Sequence, residues 1–271
     1  MGKEGDAVTS NEVFEKLFLF ARCATLQLFC CDGYKDEAKK ILNAPSSIFS
    51  GCFYKQYILS VYHGCLIEKG TNGTTELGKR TLGTVSAYIS SEDGIRNQIL
   101  SPMWLAETRI SKEKLPEFRE IDFFMSRYDP SQQYRCEIAN DDTDELYRYE
   151  RIHFDEINSP VIGDSCFFCG NIESSIGSTS NRIFSKTLFA SCEFCGELPA
   201  SEGKGSYLYK FELPNIIKSL SDLEGCSGAP IFNIHGKLVS LVSGGWENTP
   251  YIYGVNLELL QPIIEDDSLW Q

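Results

Sequence analysis

The chain has 271 residues, a formal net charge of −13 and a sequence pI near 4.8, with 42% hydrophobic and 12% aromatic residues. This composition suits a packed globular protein and excludes a disordered chain. The acidic charge argues against binding to nucleic acid, because phosphate backbones are bound by Lys and Arg. Apolar runs stay well below the roughly 18 residues of a membrane-spanning helix, so no membrane contact is expected.

The N-terminal residues and the cysteines indicate a cellular compartment. The first residues, MGKEGDAVTSNEVFEKL, carry acidic side chains where a secretory signal would be positively charged. The chain has 11 cysteines, an odd number. These features predict a cytoplasmic protein with reduced thiols, not a secreted protein held together by disulfides.

Residues 1–45 are expected to form a helical N-terminal extension. Ser10 is a candidate N-cap, and apolar residues near the helical period predict a helix from Glu12 towards Cys30. A second short helix is expected at residues 35–42, before Pro45. These helices are expected either to dock on the rest of the chain or to recruit a regulatory protein partner.

From Ser46 onward the sequence changes to short runs of Phe, Tyr, Ile, Val and Leu separated by Gly, Asn and Ser. This pattern is typical of all-β barrels or sandwiches. Between Asp129 and Ser159 the chain is polar and acidic, with few strand signals. We therefore expect an all-β protein of two barrels, residues 46–130 and 161–271, joined by an acidic linker at residues 131–160.

The strongest chemical signal is the segment Glu224-Gly225-Cys226-Ser227-Gly228-Ala229-Pro230, which precedes a predicted hairpin. The glycines around Ser227 can adopt positive φ, so the serine can stand at a tight turn. Such a turn can aim successive backbone N–H groups at one point, as an anionic tetrahedral intermediate requires. The residues alone also fit an ordinary loop before a hairpin.

This segment resembles the Gly-x-Ser-Gly-x-Pro nucleophile segment of the trypsin-like (chymotrypsin-fold) serine peptidases, nearest in pattern to HtrA-type and bacterial trypsin-like domains. The resemblance covers roughly residues 46–262 and implies two six-stranded antiparallel β-barrels. It implies that Ser227 is the nucleophile and that the N–H groups of Gly225 and Ser227 form the oxyanion hole. The substrate-binding residues that it implies are Ser221 at the pocket floor and the edge strand Ser243, Gly244 and Gly245. Cys226 is an alternative nucleophile, although it precedes the Ser-Gly pair.

A serine hydroxyl needs a base, and the chain has 3 histidines, His63, His153 and His235. His63 ends the stretch Ile58-Leu59-Ser60-Val61-Tyr62, which resembles the family's Ile-Leu-Thr-Ala-Ala-His segment, although the bulky Tyr62 departs from it. The other two lie in a charged stretch and in a hairpin turn. The resemblance therefore implies that His63 is the base.

The acid that orients the base is expected between the histidine and the serine. Asp122 leads the apolar run Phe123-Phe124-Met125 and resembles the family's Asp-Ile-Ala-Leu segment. Its role would be to hold the histidine tautomer and stabilise the imidazolium. Asp129 is the reserve candidate.

Two CxxC pairs, Cys166/Cys169 and Cys192/Cys195, have roughly zinc-ribbon spacing. Each pair lies in a predicted strand, where side chains three residues apart point to opposite faces. We expect no cofactor, and structural zinc on these four cysteines is the alternative.

These residues predict a serine endopeptidase that cleaves a protein or peptide substrate through an acyl-enzyme. Two other functions stay open at this stage. One is a catalytically inactive trypsin-like barrel that binds proteins, and the other is an adaptor that contains a zinc ribbon.

Overall fold

A computed structural model of the chain describes residues 10–31, 47–69, 74–77, 80–84, 97–98, 103–104, 121–127, 135–139, 146–176, 182–198 and 207–266. These residues are mostly β, with one α-helix near each end. None of the helices among them has the length and apolar character needed to cross a membrane. The helix expected at residues 35–42 lies outside the described residues.

The first part of the chain forms an antiparallel sheet. Its helix and strands are α1 (Ser10–Ala24), β1 (Leu26–Cys31), β2 (Ser47–Tyr54), β3 (Tyr57–Ser60), β4 (Leu66–Lys69), β5 (Thr74–Leu77), β6 (Arg80–Thr84), β7 (Asn97–Gln98), β8 (Met103–Trp104) and β9 (Phe124–Arg127). Six of the strands pair in the order β8-β6-β1-β2-β3-β9, and β4 with β5 makes a separate hairpin. Among the described residues no pairing joins β8 to β9, so closure of this sheet into a barrel stays a prediction.

The predicted helix from Glu12 towards Cys30 is wrong in its second half, because α1 ends at Ala24 and residues 26–31 form β1. Thr25 stands at the break and shares its hydroxyl hydrogen between the carbonyl oxygens of Ala21, at 2.8 Å, and Cys169, at 2.9 Å. A short apolar run fits a helix or a strand equally well. Residues 26–31 form a strand because they pair with β2 on one side and with β6 on the other.

The segment predicted as an acidic linker also contains strands: β10 (Arg135–Ala139), β11 (Leu146–Glu150) and β12 (His153–Phe154). The first two pair as a hairpin, and β12 pairs in parallel with β2. The sequence did not predict these strands, because their residues include Arg, Glu and Tyr and the stretch therefore resembles a polar linker. Residues 151–157 then cross to the second sheet, where Ile157 bridges Leu238.

The last part of the chain forms a closed barrel. Its elements are β13 (Ser165–Ile176), β14 (Arg182–Glu197), β15 (Leu208–Ile217), β16 (Pro230–Asn233), β17 (Leu238–Gly245), β18 (Thr249–Asn256) and α2 (Leu257–Ile264). The strands pair antiparallel in the order β13-β16-β17-β18-β15-β14, and β14 returns to β13. One closed six-stranded barrel is therefore confirmed. The short strand β7 adds to β14 from outside this ring.

Two apolar clusters hold these parts together. One fills the closed barrel and includes Phe168, Phe211 and Ile231. The other is shared by both sheets and both helices, with Phe123 from the first sheet and Leu260 from α2. Full burial of such side chains stabilises the fold by about 1.5–3 kcal/mol each. The shared cluster therefore packs the two sheets against each other.

Helix α1 packs through aromatic contacts on the barrel side of the molecule. The Phe20 ring lies 4.9 Å from that of Phe232 in β16 and 6.1 Å from that of Phe154 in β12. At the C-terminal end of the helix, Nη1 of Arg151 donates to the carbonyl oxygens of Arg22 and Thr25. A cation at this end satisfies carbonyl groups that the helix leaves without internal partners.

Candidate active site

His63 lies at the end of the first β-hairpin, where β3 passes into a short 3-10 turn at His63–Cys65. The backbone N–H of Tyr62 donates to the carbonyl oxygen of Asp122 at 3.3 Å, and the N–H of His63 donates to its Oδ1 at 3.0 Å. The main chain around the histidine is thus fixed by the aspartate. Tyr62 itself is half-buried, and its bulk does not displace the His63 ring from Asp122.

Asp122 sits just before β9 and is 8% exposed. Its φ is +56°, in the left-handed region, which Asp and Asn tolerate better than most residues. Its carboxylate accepts hydrogen bonds from His63 Nδ1, at 2.9 and 3.1 Å, and from the Ser243 hydroxyl. Burial by itself raises the pKa of Asp122, but the hydrogen bonds and charge of His63 and the hydrogen bond of Ser243 outweigh it, so the pKa falls below its ordinary value.

Ser227 completes a hydrogen-bonded chain of three side chains. Its Oγ lies 2.8 Å from His63 Nε2. Because an ionised carboxylate can only accept, the Nδ1 of His63 carries the hydrogen, and the Nε2 of the neutral ring is an acceptor for the serine hydroxyl. The three predicted residues, which are 59 and 105 positions apart in sequence (122 − 63 and 227 − 122), therefore meet at one place.

The turn that presents Ser227 is anchored to the first sheet by Ser50. The Ser50 N–H donates to the carbonyl oxygen of Ser227 at 2.7 Å, and its hydroxyl donates to the carbonyl oxygen of Gly225, also at 2.7 Å. Gly225 has φ +88° and Gly228 has φ +84°, both conformations that glycine adopts readily. This role of Ser50 could not be predicted from its neighbours in the sequence, because its partners lie about 175 residues away.

Two backbone N–H groups of this turn are candidates for an oxyanion hole. The N–H of Cys226 turns away and donates to the carbonyl oxygen of Leu223 at 2.9 Å. The N–H groups on either side, of Gly225 and Ser227, donate to no acceptor in the described part of the chain. Both remain available to stabilise an oxygen anion beside the Ser227 hydroxyl.

The fold was compared with known proteins. No family model matches the chain, and no curated protein matches it. The Rv3671c protease of M. tuberculosis in its active form matches over 97% of this chain and 92% of its own, with a TM-score of 0.53 and 8% identity. The structure of Deg5 matches over 95% of each chain, with a TM-score of 0.52 and 12% identity. An inactive serine-to-alanine variant of Rv3671c matches with a TM-score of 0.50 and 6% identity.

The chain has the fold of the trypsin-like serine proteases. Within this trypsin-like fold, the edge strand predicted from the sequence is the end of β17. Gly244 and Gly245 pair with β18 on one side, with a bulge at Ser243, and among the described residues no strand pairs with residues 243–245 on the other side. Ser243 also donates its hydroxyl hydrogen to Asp122, a contact that the sequence did not predict.

Apolar side chains lie beside the end of β17, whereas Ser221, the residue predicted at the pocket floor, is exposed. Ser221 lies in a 3-10 turn at Leu220–Leu223, is exposed, and donates its hydroxyl hydrogen to Ser219. The turn instead points Leu223 inwards. A side chain added at Gly245 would meet the methyl carbons of Ile217 at 3.0 Å and Leu223 at 3.1 Å. Both side chains are over 90% buried. Sequence spacing alone could not show which residue of the turn faces in.

The four CxxC cysteines do not converge on one point. Cys166 and Cys192 are direct partners on β13 and β14 and face the barrel interior, whereas Cys169 lies in the cluster shared by both sheets. Side chains three residues apart in a strand point to opposite faces. Burial raises the pKa of Cys166 to about 12, which opposes the thiolate form that zinc needs. Within the described residues, no group of three His, Cys, Asp or Glu could hold a metal ion.

The remaining alternatives lie away from Ser227 or have unsuitable chemistry. Cys226 is fully buried, and burial raises the pKa of its thiol, so it does not fit a nucleophile. His153 stacks on Phe53, with ring centroids 4.4 Å apart, and burial lowers its pKa. His235 is exposed in the turn after β16. Asp129 lies outside the described residues.

Proposed function

We propose that this protein is a serine endopeptidase with His63 as the base, Asp122 as the orienting acid and Ser227 as the nucleophile. The observation that carries the proposal is the continuous hydrogen-bonded chain, with Ser227 Oγ 2.8 Å from His63 Nε2 and His63 Nδ1 2.9 Å from Asp122 Oδ2. This arrangement lets one side chain remove the serine proton while a second stabilises the charge that forms on the first.

The reaction follows from these contacts. Ser227 Oγ attacks the carbonyl carbon of the substrate peptide bond, and its proton passes to His63 Nε2. The resulting oxyanion accepts hydrogen bonds from the N–H groups of Gly225 and Ser227. The intermediate then expels the amine, which takes the proton from His63. A water molecule attacks the acyl-enzyme in the same way, and the serine regains its hydrogen as the acid product leaves.

Asp122 keeps its negative charge throughout. Its lowered pKa means that the carboxylate is ionised well below neutral pH, so it favours the Nδ1–H tautomer of His63 and the imidazolium that follows. The hydrogen bond from Ser243 supports the same charge state. We also infer that the first sheet is the first of two six-stranded barrels, because the candidate site lies between it and the closed barrel.

We infer that the residue before the scissile bond binds beside Gly245, and the apolar side chains there support cleavage after an apolar residue. Its neighbours Ile217, Leu223 and Ile252 are all buried and uncharged. A basic side chain would lose its hydration there without gaining a partner, which costs several kcal/mol. We expect residues of aliphatic type before the scissile bond and a weak response to Lys or Arg.

The experiment is covalent labelling with a fluorophosphonate, which reacts with an activated serine and needs no knowledge of the substrate. Wild-type protein is expected to be labelled, and the variants S227A and H63A are not. The matched control is S240A, which removes a buried serine hydroxyl of β17 that donates to the Val255 carbonyl oxygen at 2.8 Å. If folded wild-type protein is not labelled, the peptidase proposal is wrong and an inactive protein-binding barrel takes its place.

A further inference from the structure

One face of the closed barrel carries a row of residues that starts at the candidate substrate strand. Gly244 of β17 lies opposite Tyr253 of β18, and Tyr253 lies opposite Lys210 of β15. Directly opposite residues of antiparallel strands point to the same face. A side chain at Gly244 would overlap the Tyr253 ring. Because position 244 of β17 is a glycine, no side chain at that position covers the ring.

Two more aromatic side chains extend this row. The Trp246 ring lies 4.9 Å from the Tyr253 ring. Lys210 Nζ lies 4.1 Å from the centre of the Tyr251 ring and 6.0 Å from that of Trp246. All four side chains are partly exposed. We call Lys210, Trp246, Tyr251 and Tyr253 the Lys210 shelf. In this shelf the half-exposed ammonium group of Lys210 lies beside aromatic rings.

The shelf lies where an extended substrate would continue from the pocket. A peptide paired with residues 243–245 places alternate side chains on opposite faces, with a repeat of about 7 Å for every second residue. The residue before the scissile bond enters the pocket beside Gly245. The second and fourth residues before the bond then face the other side, the second over Gly244 and Tyr253. The fourth reaches Trp246 and Lys210.

We propose that the Lys210 shelf selects substrates with Asp or Glu at the fourth residue before the scissile bond. This inference rests on the proposed peptidase function and adds a substrate class to it. The ammonium group of Lys210 is held against ring faces and is therefore less hydrated than a free surface lysine, which strengthens its attraction for a carboxylate. The rings beside it contact the methylene groups of a Glu side chain.

Nearby acidic groups limit the size of the preference. Glu212 is the strand partner of Tyr251, lies on the same face as Lys210, and attracts the same ammonium group. The net charge of −13 also weakens the approach of any acidic peptide. A partly exposed ion pair of this kind corresponds to about a twofold to fivefold effect, and repulsion of a Lys at the same position adds to the ratio between Glu and Lys.

The test compares three peptides that differ only at the fourth residue before the bond, which is Glu, Gln or Lys. For wild-type protein, kcat/KM is expected to fall in that order, with about a tenfold ratio between Glu and Lys. K210M should bring the ratio close to one, and K210E should invert it. K16M is the control, because Lys16 is exposed on α1 and its loss changes the net charge equally.

Two measurements separate failure of this inference from failure of the peptidase proposal. Fluorophosphonate labelling of wild-type protein tests the peptidase proposal separately, because the probe has no residue that reaches the shelf. If labelling and cleavage proceed but the Glu-to-Lys ratio is the same in wild type and K210M, the shelf inference alone is wrong. Binding of the same peptides to S227A, followed by fluorescence anisotropy, tests it without turnover, and equal affinities for the Glu and Lys peptides would overturn it.

Discussion

Ser50 donates its hydroxyl hydrogen to the carbonyl oxygen of Gly225 at 2.7 Å. A residue of the first sheet therefore holds the backbone of Gly225, whose N–H group is a candidate for the oxyanion hole. The same residue holds the carbonyl oxygen of Ser227 through its backbone N–H. The geometry of the proposed oxyanion hole thus depends on contact between the two sheets.

We expect S50A to slow fluorophosphonate labelling about 10- to 100-fold, because a misplaced oxyanion donor removes part of a contribution worth a few kcal/mol. Labelling rates at saturating and limiting probe concentrations provide the measurement. S240A, which loses a buried hydroxyl elsewhere in the barrel, should label at the wild-type rate. Equal slowing in both variants would mean that loss of stability, and not position, explains the effect.

Ser243 helps to keep Asp122 ionised in acid. Its hydroxyl hydrogen bond helps to lower the pKa of Asp122, and without it the carboxylate becomes protonated at a higher pH. Because folding lowers this pKa, the ionised carboxylate stabilises the folded protein above the unfolded pKa, and this stabilisation is lost as the pH falls through the folded pKa. In S243A the folded pKa is higher, so the midpoint of acid unfolding should lie at a higher pH than in wild type. An unchanged midpoint would contradict this role.

Gly228 is expected to tolerate no side chain. An alanine there would keep the strained φ of +84° and overlap the Ser50 carbonyl oxygen and the Ser60 hydroxyl. The conformation alone costs about 1–2 kcal/mol, and the overlap adds to it. G163A is the matched control, since Gly163 has φ +94° and no atom within 4 Å of the added carbon. Urea unfolding should show a larger loss for G228A than for G163A.

Leu223 should determine how large a residue the pocket accepts. The L223A variant removes one wall beside Gly245, and we expect about a tenfold gain in kcat/KM for peptides with Phe before the scissile bond relative to Val. G245V should instead abolish cleavage of both peptides, because the added carbon atoms fill the same space. A Phe-to-Val ratio that does not change in L223A would place the pocket elsewhere.

Phe20 is expected to hold α1 on the barrel. Its ring contacts Phe154 and Phe232, and F20A should lower the free energy of unfolding by about 2 kcal/mol, less than for a fully buried ring. V13A, at a position that is 47% exposed on the same helix, should change it by under about 0.5 kcal/mol. Equal effects from both variants would mean that the helix does not dock as described.

By itself, the sequence determined the serine turn, the order of the three site residues and the β character of the chain. The turn and the β character rest on local chemistry, namely glycines that permit positive φ beside Ser227 and short apolar runs between turns. The order of His63, Asp122 and Ser227 rests on the resemblance to the trypsin-like peptidases. Only the tertiary structure decided that residues 26–31 form a strand, that Ser50 anchors the nucleophile turn, and that Leu223 is buried beside Gly245. Each of these features depends on partners that are distant in sequence, and the local sequence around a residue does not identify such partners.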